Sequence, residues 1–169
     1  MATNKYVNTN QEAGSKAMGG ASFPGQILAL TGTYEKTALD TDGSVLRLGT
    51  VPANAIPMSH SFMAFEAIAG LTDVDVGTYA QSNGAVDGVV ADKDCLSDGL
   101  DPHAGAALGT EIRAFQAVGI DELGQDLRTL SGGSVGDGKD FYDVALTLNT
   151  GGANTGTIAW ELYFLLPQS

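Results

Sequence analysis

Between Phe141 and Leu166 apolar residues fall at every second position in two separate runs. No other feature constrains the fold so strongly. In the first run Tyr142, Val144, Leu146 and Leu148 share one side, and Asp143, Ala145, Thr147 and Asn149 the other. In the second, Ile158, Trp160, Leu162, Phe164 and Leu166 share a side. Successive side chains of a strand point to opposite faces, so both runs predict half-buried strands of an antiparallel sheet. Thr150 to Gly156, rich in Gly and Asn, separates them and is short enough for a hairpin.

The rest of the chain speaks the same language less clearly. Gln26 to Tyr34 predicts a strand on Ile27, Leu28 and Leu30, and Ser44 to Val51 another after the Asp42-Gly43 turn. Ile56 to Ile68 reads as a longer strand, with a helix over Ser59 to Ala69 as the competing reading. Val74, Val76 and Tyr79 mark a further strand, followed by a Gly- and Asp-rich region whose only apolar pair is Val89-Val90. Ile112 to Val118 alternates weakly, and Ile120 to Leu130 reads as a short helix or a loop. Residues 1–24 are small, polar and Gly-dotted, which predicts a flexible N-terminal arm ahead of one domain over 25–169. Many short strands, Gly turns and no βαβ rhythm predict an all-β antiparallel sandwich with long loops.

Charge narrows the function. Eight Lys plus Arg against twenty Asp plus Glu leave a net charge of −12 over 169 residues. Nucleic acid needs clustered cations that displace counterions, and an anionic membrane needs the same, so neither is an expected partner. The apolar share of 43% excludes wholesale disorder. A single cysteine, Cys95, forbids an internal disulfide, and His60 and His103 offer little for a histidine metal site. The start of the chain carries no apolar secretory core, and the apolar run Ile158 to Leu166 is interrupted by Glu161. A soluble protein made in a cytoplasm is expected.

Several constellations invite chemistry and fail on their chemical requirements. Gly133 to Lys139 fits G-x-x-x-x-G-K, but Asp140 stands where a phosphate loop needs Ser or Thr, and a strand rather than a helix follows. Asp73, Asp75, Asp87, Asp92, Asp94, Asp98 and Asp101 crowd one region, where oxygen ligands for a cation compete with a solvated, turn-capping loop. The block from Asp92 to Gly99 lacks the D-x-D-x-D-G spacing of a calcium loop. Ser59-His60-Ser61 has no nucleophile elbow around it, and Cys95 with His103 would need to meet in space. A carboxylate pair for glycoside hydrolysis is a matter of separation, which spacing in sequence does not select. No catalytic, cofactor-binding or metal-binding residue is assigned, and no cofactor is expected.

Three blocks in order carry a resemblance. Val45 to Ala55 (VLRLGTVPANA), Val74 to Tyr79 (VDVGTY) and Asp92 to Asp101 (DKDCLSDGLD) resemble blocks of small virion structural proteins of tailed bacteriophages, as does the close in Leu165-Leu166-Pro167. The resemblance implies a head decoration or cement protein with a jelly-roll-like fold, placed on the capsid surface and made in the host cytoplasm. It further implies the major capsid protein as partner and self-association, with a homotrimer favoured. It carries no catalytic residue. A tail or fibre-base component and a carbohydrate-binding β-sandwich are the alternatives, the latter disfavoured by an aromatic share of only 7%. A hydrolase has no triad or metal spacing in its favour.

Overall fold

The computed structural model describes residues 5–7, 26–80, 90–102, 112–133 and 140–167, with 5–7 and 112–113 described through their backbone. The strands are β1 (Lys5–Val7), β2 (Gln26–Lys36), β3 (Ser44–Pro52), β4 (Ile56–Pro57), β5 (Phe62–Phe65), β6 (Asp73–Ala80), β7 (Val90–Leu100), β8 (Ile112–Arg113), β9 (Phe141–Thr150) and β10 (Gly156–Leu166). One turn of helix, α1 (Leu127–Leu130), completes the described elements. They build two sheets, β1-β3-β9-β6-β7 and β2-β10-β5-β8, with β4 also paired to β10. The pairs are antiparallel except β1 with β3, which run parallel. The expected all-β sandwich is what the chain forms.

Alternation in β9 and β10 decides the core. Tyr142, Val144, Leu146 and Leu148 are buried from one sheet, and Ile158, Trp160, Leu162 and Phe164 from the other. Each large apolar side chain so buried contributes roughly 1.5–3 kcal/mol before ordering costs are subtracted.

The two strands do not form the expected hairpin. β9 lies between β3 and β6, and β10 between β2 and β5, so residues 151–155 arch from one sheet to the other. Two apolar stripes side by side in one sheet would both still need a cover. Facing each other across the sandwich, they cover one another. The arch is held from outside: Gly151 N donates to Asp42 Oδ1 at 2.6 Å, and Lys36 Nζ donates to Gly152 O and Asn154 O at 3.0 and 2.9 Å. A Cβ on Gly151 would stand 2.5 Å from the Thr41 carbonyl carbon, so only glycine passes there.

The expected strand over Ile56 to Ile68 forms as one interrupted strand, not a helix, and it ends at Phe65. β4 and β5 pair with β10 in tandem, and the pairing shifts by two residues between them. Ser61 fills the gap: its hydroxyl donates to Met58 O and accepts from Tyr163 N, each at 2.8 Å. In β3 the register slips between Arg47 and Gly49, which lets Leu46, Leu48 and Val51 all be buried.

The Asp-rich block is the main correction. Asp92 to Leu100 is not a loop but most of β7, paired with β6. Its register slips repeatedly, with Val76 opposite Ser97 and Thr78 opposite Asp92, so five steps along β7 match two along β6. The surplus backbone folds over Gly77, where a Cβ would lie 2.2 Å from Asp92 O. Such a bulge hides the period-two signal. The expected arm, 1–24, lies outside the described residues except for Lys5–Val7. There the polar composition offers no strand signal, yet the backbone pairs with Val45 to Arg47.

Candidate functional site

The outer face of the β3-β9-β6-β7 sheet gathers the polar side chains. Arg47 Nη2 and Thr50 Oγ1 both donate to Asp143 Oδ1, at 2.8 and 2.7 Å. Tyr79 and Thr147 share a hydroxyl hydrogen bond at 2.6 Å. Next to them Asn149 Nδ2 donates to Asp73 Oδ1 at 3.0 Å and Asp75 Oδ2 at 2.6 Å, while Lys93 Nζ donates to Asn149 Oδ1 at 2.8 Å.

Asp75 is the centre of the one acidic group found among the described residues. Carboxylate oxygens of Asp75, Asp94 and Asp98 lie within 4.8 Å of one another. Asp75 is already served by protein donors: Gly99 N reaches Oδ1 at 3.1 Å, and Lys93 Nζ lies 3.0 Å from Oδ2. Burial pushes its carboxyl up, but the bonds from Asn149, Gly99 and Lys93 outweigh that and hold it below its ordinary value. Lys93 is correspondingly raised, first by its hydrogen bond to Asp75. Lys93 supplies Asp75 with a positive charge from the chain itself, and its bonds to Asp75 and Asn149 fasten β7 across β6 to β9. Asp92, by contrast, is pushed up by burial and by the neighbouring Asp94 carboxyl.

The other sequence candidates separate. Ser61 spends its hydroxyl on the β4–β5 interruption, and exposed His60 packs its ring against Tyr163 with centroids 4.8 Å apart. Cys95 sits against Thr78 Oγ1 at 3.7 Å, and Thr78 shares a 2.6 Å hydrogen bond with Ser131. Burial pushes the Cys95 thiol up to about 11, the opposite of what a thiolate nucleophile needs. His103 and Asp87 lie outside the described residues, as do 134–139 of the glycine-lysine motif. The described ends of that motif follow α1 and open β9: Gly133 N donates to Arg128 O at 2.8 Å, and Asp140 O accepts from Ala53 N at 2.9 Å.

From sequence, Ile120 to Leu130 reads as either a short helix or a loop. Only Leu127–Leu130 form a turn of helix, and the stretch before them is a clamped turn. Ala117 N donates to Leu96 O at 3.0 Å on one side, and Leu127 N and Arg128 N donate to Ala55 O and Ala53 O at 2.9 Å on the other. Between the clamps Gly119 N donates to Glu122 Oε2 at 2.8 Å, Glu122 N to Gly119 O and Gln125 N to Glu122 O. Gly124 takes φ +88, open to glycine without strain. Ile120 and Leu123 project from this turn, 89% and 61% exposed.

No protein-family model matches the chain, and no curated protein matches it. A solved structure does. The fold is similar to that of a chain in the capsid of Ralstonia phage GP4. The two superpose with a TM-score of 0.65 over 97% of this chain and 100% of that one, at 15% sequence identity. The likeness therefore spans both sheets.

Proposed function

We propose that this chain is a non-enzymatic structural protein of a tailed-phage virion, acting as a decoration or cement protein on the head shell. The observation that carries the reading is the whole-length similarity to a chain of a phage capsid. Strand order supports a jelly roll. Taking β4 and β5 as one strand, β2, β10, β4/β5 and β8 form one sheet and β3, β9, β6 and β7 the other, the interleaving two Greek keys produce. The polar groups of the outer face bond to one another and tie strands together, which suits a load-bearing role.

The partner is the major capsid protein. Closed symmetry is the usual outcome for identical chains, and the resemblance to phage virion proteins favours a homotrimer. Many identical sites on a shell let modest individual contacts add up. Net charge of −12 keeps the free protein soluble and monodisperse before assembly. Co-sedimentation with capsids of the encoding phage, prepared without this protein, tests the reading. Saturable binding at fixed stoichiometry is expected. Binding to tails but not heads would move the protein to the tail, and binding to neither would overturn the virion reading.

A further inference from the structure

We infer that the turn Gly119 to Gln125 is a preformed anchor that inserts Ile120 and Leu123 into an apolar socket with a cationic rim on the capsid protein. The inference rests on the decoration reading and adds which residues dock and what they meet.

Exposure alone would be ordinary, since single surface apolar residues are common. The construction around these two is not. An exposed loop that merely connects α1 to the preceding chain would not need fixing at both ends. Here backbone hydrogen bonds tie Ala117 to β7 and Leu127 and Arg128 to the turn after β3. Within the loop a carboxylate, Glu122, caps Gly119 N, and two further backbone bonds close the turn. Val118 and Leu127 on either side pack against the core. The projecting Ile120 and Leu123 are thus held by a frame that has lost its freedom before any partner arrives. Interfaces gain most from anchors that are ordered in advance, because the ordering cost is then absent at docking. A large apolar side chain entering a desolvated pocket is the usual source of interface energy.

Charge identifies the socket. Asp121, Glu122 and Asp126 lie beside the apolar pair in sequence, Glu122 and Asp126 each with one oxygen on a backbone N–H. Arg113 is the one Lys or Arg between Lys93 and Arg128. An acidic rim around an apolar tip is complementary to an apolar pocket edged by Lys or Arg. It also disfavours docking this turn against the same turn of a second copy, which carries the same carboxylates.

The test uses the full chain and capsids of the encoding phage prepared without it. Ile120→Asp with Leu123→Asp should keep the circular dichroism spectrum and solution mass of the parent while weakening particle binding by roughly tenfold or more. The milder pair Ile120→Ser and Leu123→Ser guards against a folding artefact and should weaken binding in the same direction. Asp121→Lys should weaken binding at low salt, with the difference shrinking as salt rises. Unchanged binding by both apolar pairs would overturn the anchor while leaving the decoration reading intact. A changed solution mass would assign the turn to self-association and overturn the capsid socket. Absence of binding by the parent protein would overturn the decoration reading itself, and the anchor with it.

Discussion

Lys36, with Asp40 and Asp75, is one of the buried residues at which this sandwich commits an ionised group to its interior. Lys36 is 1% exposed, and Nζ donates to the carbonyls of Thr37, Gly152 and Asn154. Burial pulls its pKa below the ordinary lysine value, and the negative charge of Asp40 pulls back. Methionine there would keep the stem and remove both the desolvation cost and three donors. Unsatisfied buried acceptors cost more than the recovered desolvation, so Lys36→Met should lower stability by roughly 2 kcal/mol. Urea unfolding reads this directly, and an unchanged midpoint would mean the two effects cancel. Cys95 makes a kinetic prediction. With its thiol pushed up to about 11, it should resist thiol reagents at pH 8 in the native protein and react at the rate of unfolding. Rapid labelling would contradict the buried, neutral thiol. Because the folded value lies above the ordinary 9.0, its contribution to stability is complete below about pH 9 and is lost as pH rises toward 11. Cys95→Ser should flatten that alkaline loss.

At the scale of elements, the crossing of β7 over Gly77 is the feature most sensitive to a single atom. A Cβ there would meet Asp92 O and the Lys93 carbonyl carbon at 2.2 Å, and both are backbone. Gly77→Val should therefore displace β7, costing roughly 2 kcal/mol or more, with faster proteolysis between Val90 and Leu100 than elsewhere. Unaltered proteolysis would mean the bulge can shift without loss. The same bulge explains what could be read from sequence and what could not. β9 and β10 are legible because their alternation is unbroken and their apolar faces are buried as expected. β9 is not half-buried, however: Asp143, Ala145 and Thr147 on its other face are buried as well. β7 is not legible, because its pairing slips three times and only Leu96, Ser97 and Leu100 are fully buried within a stretch of carboxylates. The arch from β9 to β10 reads as a hairpin in sequence because seven Gly-rich residues permit either, and only the partners Asp42 and Lys36, far away in sequence, decide it. Of the candidate anchor, the acidic rim is visible in sequence, but the clamps at Ala117, Leu127 and Arg128 are spatial.

For the whole molecule, the outstanding question is what the N-terminal segment does for a sandwich whose core lies elsewhere. Among the described residues, Lys5–Val7 add a parallel strand beside Val45 to Arg47, and no side chain of the core cluster comes from before Leu28. Three residues of parallel pairing contribute little stability of their own. Deleting residues 1–20 should therefore leave the sandwich folded, with an unchanged far-ultraviolet spectrum and at most a small shift in unfolding midpoint. It would also leave β3 as the outer strand of its sheet, with backbone groups of Val45 to Arg47 open to another chain. If the segment serves assembly, the truncated protein should bind capsids more weakly than the full chain while light scattering gives both the same subunit number. Equal binding would make the segment dispensable for attachment. A fall in subunit number would instead place it between copies of this chain. A loss of the folded spectrum would show that β1 closes an edge the sandwich cannot leave open.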